Sequence, residues 1–338
     1  MANPLLSSTS TILGIESSCD DTSASVIQNG EIRSNIISSQ EIHRKYGGVV
    51  PELASRAHQS HIIPVINEAL ETAKVSKKDL DAIAVTQGPG LMGSLIVGLN
   101  TAKGLAMSLG IPLIGVNHLR AHVSALQIEN KIEYPMLCLL VSGGHTQLIL
   151  QHNENDAEII GSTIDDAVGE AFDKGSKIMG LGYPGGPVIA KLAEKGNRDF
   201  HTFPDSQTKD LDFSFSGIKT SLLYWLRKEL EINSEFLNEY REDICASYEK
   251  SLVNMLLKRV KKALKIHNVK SLGLVGGVSA NRLLRNEMKE MGNRHNLQVY
   301  IPSFEYCTDN AAMIAKAGEI LFRHGDCIGL EAKPYTRA

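Results

Sequence analysis

One local plan occurs twice in this chain, and it constrains the fold more than any other feature. In TILGIESSCDDTSASVIQNGEI, Thr11 to Ile32, apolar runs flank a polar turn from Ser17 to Thr22, and the Asn29-Gly30 pair that follows favours a tight hairpin. From Met136, MLCLLVSGGHTQLILQ repeats it as an apolar strand, a tight Ser142-Gly143-Gly144-His145-Thr146 turn and an alternating strand. The two copies share architecture with little identity. At 338 residues the chain exceeds the roughly 100 to 200 residues of one domain, so the repeat predicts two like halves.

The segments after each copy extend the plan. DAIAVTQGPG reads as a buried strand ending in a glycine loop, SLIVGLNTAKGLAMSLG as a helix and IPLIGV as a strand. Later, SLGLVGG, the helix ANRLLRNEMKEMG, the strand VYIP and the helix NAAMIAKAGEILFRHG alternate in the same way. This is the pattern of an α/β protein with a mixed sheet in each half. Between them, residues 161–217 are rich in glycine and carboxylates with little periodicity and read as site-forming insertions. The longest predicted helix, Glu242 to Ile266, carries an apolar stripe of Leu252, Val253, Leu256, Leu257, Val260 and Leu264. By analogy, two duplicated halves with turns able to face a phosphate suggest the actin-like ATPase (ASKHA) fold with an interdomain cleft. The expected domains are 1–135 and 136–338, the second holding inserted segments at about 161–245.

Charge and cysteine usage narrow the function. A net charge of −3 is far from the basic balance of a protein that grips nucleic acid unaided, so an RNA partner requires local patches or helper proteins. Lys250, Lys258, Arg259, Lys261, Lys262 and Lys265 form one such patch opposite the apolar stripe, though a solvated charged face reads the same. The five cysteines are scattered without a CxxC pair, which fits a reducing cytoplasm. MANPLLSSTST lacks a basic n-region and an apolar core, and no run approaches about 18 apolar residues, so neither export nor membrane insertion is expected.

Candidate chemistry begins at Val116-Asn117-His118-Leu119-Arg120-Ala121-His122, where four-residue spacing on a helix puts His118 and His122 on one face, as a metal requires. A packed histidine pair has the same spacing. Leu119 stands where a zinc protease keeps the Glu of HExxH, which disfavours a peptidase. Asp309, at a helix start, offers a third ligand or a simple N-cap. The Ser142–Thr146 turn suits close approach to a phosphate, or needs its glycines only to turn. Glycines also cluster at Gly182, Gly185 and Gly186, and at Gly276 and Gly277. The latter precede Asn281, whose amide can bond a nucleoside hydroxyl or lie on a plain helix surface. The run Asp165 to Lys174 gathers carboxylates that a helix N-terminus also explains.

In order along the chain, ILGIESSCDDTSASV, GGVVPELASRAH, TQGPGLMGSLIVG, GVNHLRAHV, LLVSGGHTQL, IDDAVGEAFDKGSKIMGLGYPGGP, FSFSGIKT, LVGGVSAN and TDNAAMIA resemble the successive motifs of the TsaD family. The resemblance spans nearly the whole chain. It implies an actin-like ATPase fold and transfer of threonylcarbamoyl from threonylcarbamoyl-AMP to N6 of adenosine 37, in tRNAs reading codons that begin with A. It also implies one divalent metal per subunit, Fe2+ ahead of Zn2+, on His118, His122 and Asp309, and substrate contacts from Val141, Ser142, Gly143, Gly144, His145, Asp173, Gly186 and Asn281. The implied partners are tRNA, a heterodimeric paralogue, TsaB, and the ATPase TsaE, in the cytoplasm. No covalent nucleophile is needed. The competing readings are a small-molecule kinase or carbamoyltransferase on the same fold, the glycoprotein endopeptidase once ascribed to this family, and a non-catalytic scaffold.

Overall fold

A computed structural model describes residues 10–206, 208–327 and 329–336. The N-terminal stretch read for a leader lies outside these residues up to Thr9. In chain order the elements are β1 Thr11–Glu16, β2 Asp21–Gln28, β3 Glu31–Ser39, α1 Pro51–Ala73, β4 Ala82–Gly88, α2 Met92–Leu109, β5 Leu113–Asn117, α3 His118–Ser124 and α4 Leu126–Glu129. There follow β6 Met136–Val141, β7 Thr146–Gln151, β8 Ala157–Ser162, α5 Val168–Ile178, α6 Gly185–Ala193, α7 Ser216–Ile232, α8 Phe236–Glu239 and α9 Arg241–Ile266. Last come β9 Ser271–Val275, α10 Arg282–His295, β10 Gln298–Tyr300 and α11 Ala311–His324.

The chain forms two compact units, one running up to Lys131 and resuming at Asp309, the other spanning Ile132–Thr308. The first sheet runs β3-β2-β1-β4-β5 and the second β8-β7-β6-β9-β10. In both, the hairpin strands pair antiparallel and the remaining strands parallel, so the repeated turn carries a repeated topology. The boundary expected after residue 135 is close to the observed one, but Asp309 onward, expected in the second half, belongs to the first unit. Chain order cannot say which sheet a terminal helix covers; packing can.

That packing is close. Alternation along β1 sends Leu13 and Ile15 into a core shared with α1 and α2, while Gly14 lies against α11. A Cβ on Gly14 would stand 2.6 Å from both Ala311 O and Ala315 N, and one on Gly318 only 2.3 Å from Ala84 Cβ. The glycines let α11 sit on the sheet, which fixes where Asp309 emerges. Gly14→Ala is therefore expected to destabilise the chain by about 1–3 kcal/mol through overpacking, read as a lower urea midpoint at unchanged slope.

In the second unit, the segment expected to be irregular instead contains α5 and α6, short helices joined by a glycine-rich link that hides their periodicity. Asp165 and Asp166 do not cap α5, whose N-cap is Ala167. Asp165 accepts from Ser214 Oγ and Phe215 N at 2.5 and 2.8 Å, and Asp166 holds Lys174 at 2.6 Å, so they tie the start of α7 to α5. The basic patch of α9 is largely committed as well. Lys250 pairs with Asp199, Lys258 and the buried Arg259 with Asp205, and Lys262 donates to Asp210 O. These contacts anchor Asp199, Asp205 and Asp210, the commoner use of such a face.

Candidate functional site

In the first unit, α3 begins directly at the end of β5. Asn117 caps it by accepting from Arg120 N at 2.9 Å and is itself fixed by donating from Nδ2 to Tyr335 Oη at 2.8 Å. His118 and His122 then share one face, ring centroids 4.8 Å apart and nearly perpendicular. Asp309 faces both, with Oδ1 3.4 Å from His118 Nε2 and 3.2 Å from His122 Nε2. Asp309 is not the cap of α11: Asn310 does that by accepting from Met313 N at 3.1 Å. One candidate donor atom from each of His118, His122 and Asp309 lies within 4.8 Å of the others.

Glu16, a residue the sequence reading missed, completes the group. Wholly buried at the end of β1, it accepts from Thr86 Oγ1 at 2.6 Å and from Ser18 N, and faces His118 Nδ1 at 3.0 Å. With Nδ1 facing Glu16, Nε2 is the ring nitrogen that His118 would offer to a cation held beside Asp309. Burial opposes a charged His118, but the Asp309 and Glu16 carboxylates outweigh it and raise its pKa well above the usual imidazole value. Burial likewise pushes Asp309 up, yet His118 and then His122 hold it well below the ordinary carboxylate range. Neither ring nitrogen of the fully buried His122 has a hydrogen bond of good geometry among the described residues.

The second unit holds a cavity of about 620 Å³ lined by Gly143, Phe172, Asp173, Gly186, Glu249 and Asn281, among others. Of the run from Val141 to His145, Gly143 alone lines it. Val141 is a fully buried strand residue paired with Thr146, and Ser142 N already donates to His145 O at 2.8 Å to close the hairpin. Gly143 and Gly144 have ordinary negative or extended φ, and a Cβ on either would meet nothing within 4 Å. The turn does not require them to be glycine; open space for close approach is what they provide. Gly169 differs, since a Cβ there would strike Ser142 O at 2.6 Å and Gly143 Cα at 2.8 Å.

Asp173 Oδ1 accepts from Gly185 N at 2.7 Å, so it serves the N-terminus of α6 as well as the cavity. Burial raises its pKa against that bond. Asn281 is the N-cap of α10, accepting from Leu284 N at 2.9 Å, and its Nδ2 donates to Glu249 Oε1 at 2.7 Å. It is thus no plain surface residue, and much of its capacity is used within the protein.

The family model of tRNA N6-adenosine threonylcarbamoyltransferase, TsaD, matches residues 31–316. The chain belongs to the TsaD family. A tRNA N6-adenosine threonylcarbamoyltransferase of Porphyromonas gingivalis is 51% identical over 332 residues, covering 96% of this chain and 97% of the relative. One from Clostridium perfringens is 50% identical over 333 residues, covering 96% and 97%. Among solved structures, component A of the (R)-2-hydroxyglutaryl-CoA dehydratase of Acidaminococcus fermentans aligns with a TM-score of 0.56 at 15% identity, covering 94% of this chain and 99% of that one. A ROK family glucokinase of Streptomyces griseus aligns at 0.50 and 10%, covering 92% and 98%. These distant likenesses show the actin-like ATPase fold that this chain adopts. As a TsaD family member, the chain is a transferase acting on tRNA to build threonylcarbamoyladenosine. Among the described residues no helix is long and apolar enough to cross a membrane.

Proposed function

We propose that the chain moves threonylcarbamoyl from threonylcarbamoyl-AMP to N6 of adenosine 37, in tRNAs reading codons that begin with A. In this reading one divalent metal, iron(II) ahead of zinc, is held by His118, His122 and Asp309, and the adenylate occupies the cavity of the second unit. The observation that carries the metal assignment is His122, fully buried with neither ring nitrogen well hydrogen-bonded, facing the same Asp309 oxygen as His118. The excess negative charge that keeps a proton on His118 equally suits a cation. His118, His122 and Asp309 would hold such an ion, which when bound would supply Lewis-acid charge with coordination positions left open.

The residues' own part is positioning. In this reading the phosphate takes the open space at Gly143, and Asp173, which lines the same cavity, takes a ribose hydroxyl. The N6 nitrogen attacks the carbamoyl carbon, the bond to the phosphate oxygen breaks, AMP departs with that electron pair, and N6 loses a proton. No thiol is required. Burial and then the Asp20 carboxylate push the Cys19 thiol up, and Cys307, also buried, is turned toward the Pro302 and Ser303 carbonyls. Orientation and preorganised charge carry the rate. Mass analysis of nucleosides from tRNA incubated with threonine, bicarbonate, ATP and the cognate synthase tests this: the modified adenosine should form only when this chain is added.

Glu16→Gln should keep the fold but weaken metal binding by roughly 10–100-fold, the usual effect of losing a partner behind a ligating histidine. Titration of the metal into the metal-free chain measures it, and unchanged affinity would remove Glu16 from the site. We also propose a cytoplasmic heterodimer with the paralogue TsaB, joined by the ATPase TsaE. The net charge of −3 and the internal pairing of the α9 cations leave tRNA binding to be shared. The purified chain alone should therefore turn over slowly on tRNA, and a full multiple-turnover rate without partners would overturn this.

A further inference from the structure

We propose that Glu249 is the residue that reads the 6-amino group of the purine in the second unit's cavity, with Asn281 acting as the positioning residue that holds the Glu249 carboxylate. This rests on the reading of that cavity as an adenylate site.

Asn281, the obvious candidate from sequence, spends its carbonyl on Leu284 N and donates one amide hydrogen to Glu249 Oε1. Among the other charged side chains of the wall, Glu194 is paired with Arg282 at 2.9 Å, and both are largely exposed. Glu249 is different. Its side chain is only 3% exposed, it projects from the 26-residue helix α9, and it still lines the cavity. Oε1 is taken by Asn281, whereas the cation nearest Oε2 is Arg198 Nη2 at 3.7 Å, beyond hydrogen-bond length.

A carboxylate has about four lone-pair sites, and burying one with few donors is costly. Burial does push the Glu249 carboxyl up, with Asn281 and Arg198 pulling it back. Oε2 has the Arg198 ion pair but no donor within hydrogen-bond length, so a ligand N–H there supplies the missing bond. Phe172 and Val278 give the same cavity apolar wall suited to a base, and its volume of about 620 Å³ admits a mononucleotide. Adenine carries one exocyclic donor, the 6-amino group. A 6-oxo purine turns an acceptor toward the carboxylate and leaves both unpaired, which is how polar sites reject near-isosteres.

The test is calorimetric binding of AMP, purine riboside 5′-monophosphate, which lacks the amino group, IMP and GMP to the full chain. Wild type should bind AMP about 10- to 100-fold more tightly than the others, the range for a hydrogen bond to a charged group. In Glu249→Gln, Asn281 retains the side-chain carbonyl and turns the amide N–H groups toward the ligand, so the order of AMP and IMP should reverse. Equal binding of AMP and purine riboside monophosphate by wild type, equal binding of GMP, or an AMP preference kept by Glu249→Gln overturns the proposal. Should the variant not fold, the wild-type series alone decides. If AMP and the other nucleotides all fail to bind wild type, the adenylate reading itself falls, an outcome distinct from binding without discrimination.

Discussion

His122→Ala is expected to strip the metal and stop threonylcarbamoyl transfer while leaving the chain folded. His122 makes no well-formed hydrogen bond, and Asp309 keeps His118 as a partner when His122 is removed, so the loss is a buried ring and a ligand. His118→Ala is the less clean experiment. It leaves the Glu16 and Asp309 carboxylates facing one another without the imidazole that lies between them, and an unpaired buried charge destabilises strongly. Losing a direct ligand should cost more than the roughly 10–100-fold associated with an outer partner. Elemental analysis should find little metal in His122→Ala, nucleoside mass analysis little product, and circular dichroism a wild-type fold. Full metal occupancy in the folded variant would reject the three-ligand centre.

The fold was legible where periodicity and turn chemistry agree. The two β-turn-β copies specified two like sheets, and the spacing of His118 and His122 specified a shared helical face. What the sequence leaves ambiguous is any choice that depends on distant chain. Asp309 suits a helix cap or a ligand equally well in sequence, and in the fold Asn310 caps α11 while Asp309 faces the two histidines. Glu16 meets a histidine 102 residues away, so no local pattern marks it, although a carboxylate closing an apolar strand was a signal worth weighing. Glu249 left a clearer trace. Cys245, Glu249, Leu252 and Leu256 follow the spacing of a buried stripe, and a carboxylate in that stripe must meet a partner or a ligand. In the glycine turn Ser142 N closes the hairpin on His145 O, so it is not among the donors the turn can offer a ligand.

That turn carries the second large effect. Gly143→Val should abolish binding of a non-hydrolysable threonylcarbamoyl-adenylate analogue while barely changing stability. The two effects separate because the backbone at Gly143 lies outside the left-handed region and a Cβ there meets nothing within 4 Å, so valine is tolerated by the turn itself. An exposed substitution of this kind shifts the melting temperature by about 1–2 °C. The ligand has no such tolerance, since a phosphate approaching backbone N–H groups at about 3 Å needs the volume that the two branches of valine would fill. Asn281→Ala should by comparison weaken the analogue modestly, by about 0.5–1.5 kcal/mol, since Asn281 acts largely through Glu249 and the α10 cap. Calorimetry on variants with wild-type circular dichroism distinguishes the two. Analogue binding unchanged in Gly143→Val would place the phosphate away from this turn, and a loss in Asn281→Ala as deep as in Gly143→Val would shift the main anchor to the α10 end of the cavity.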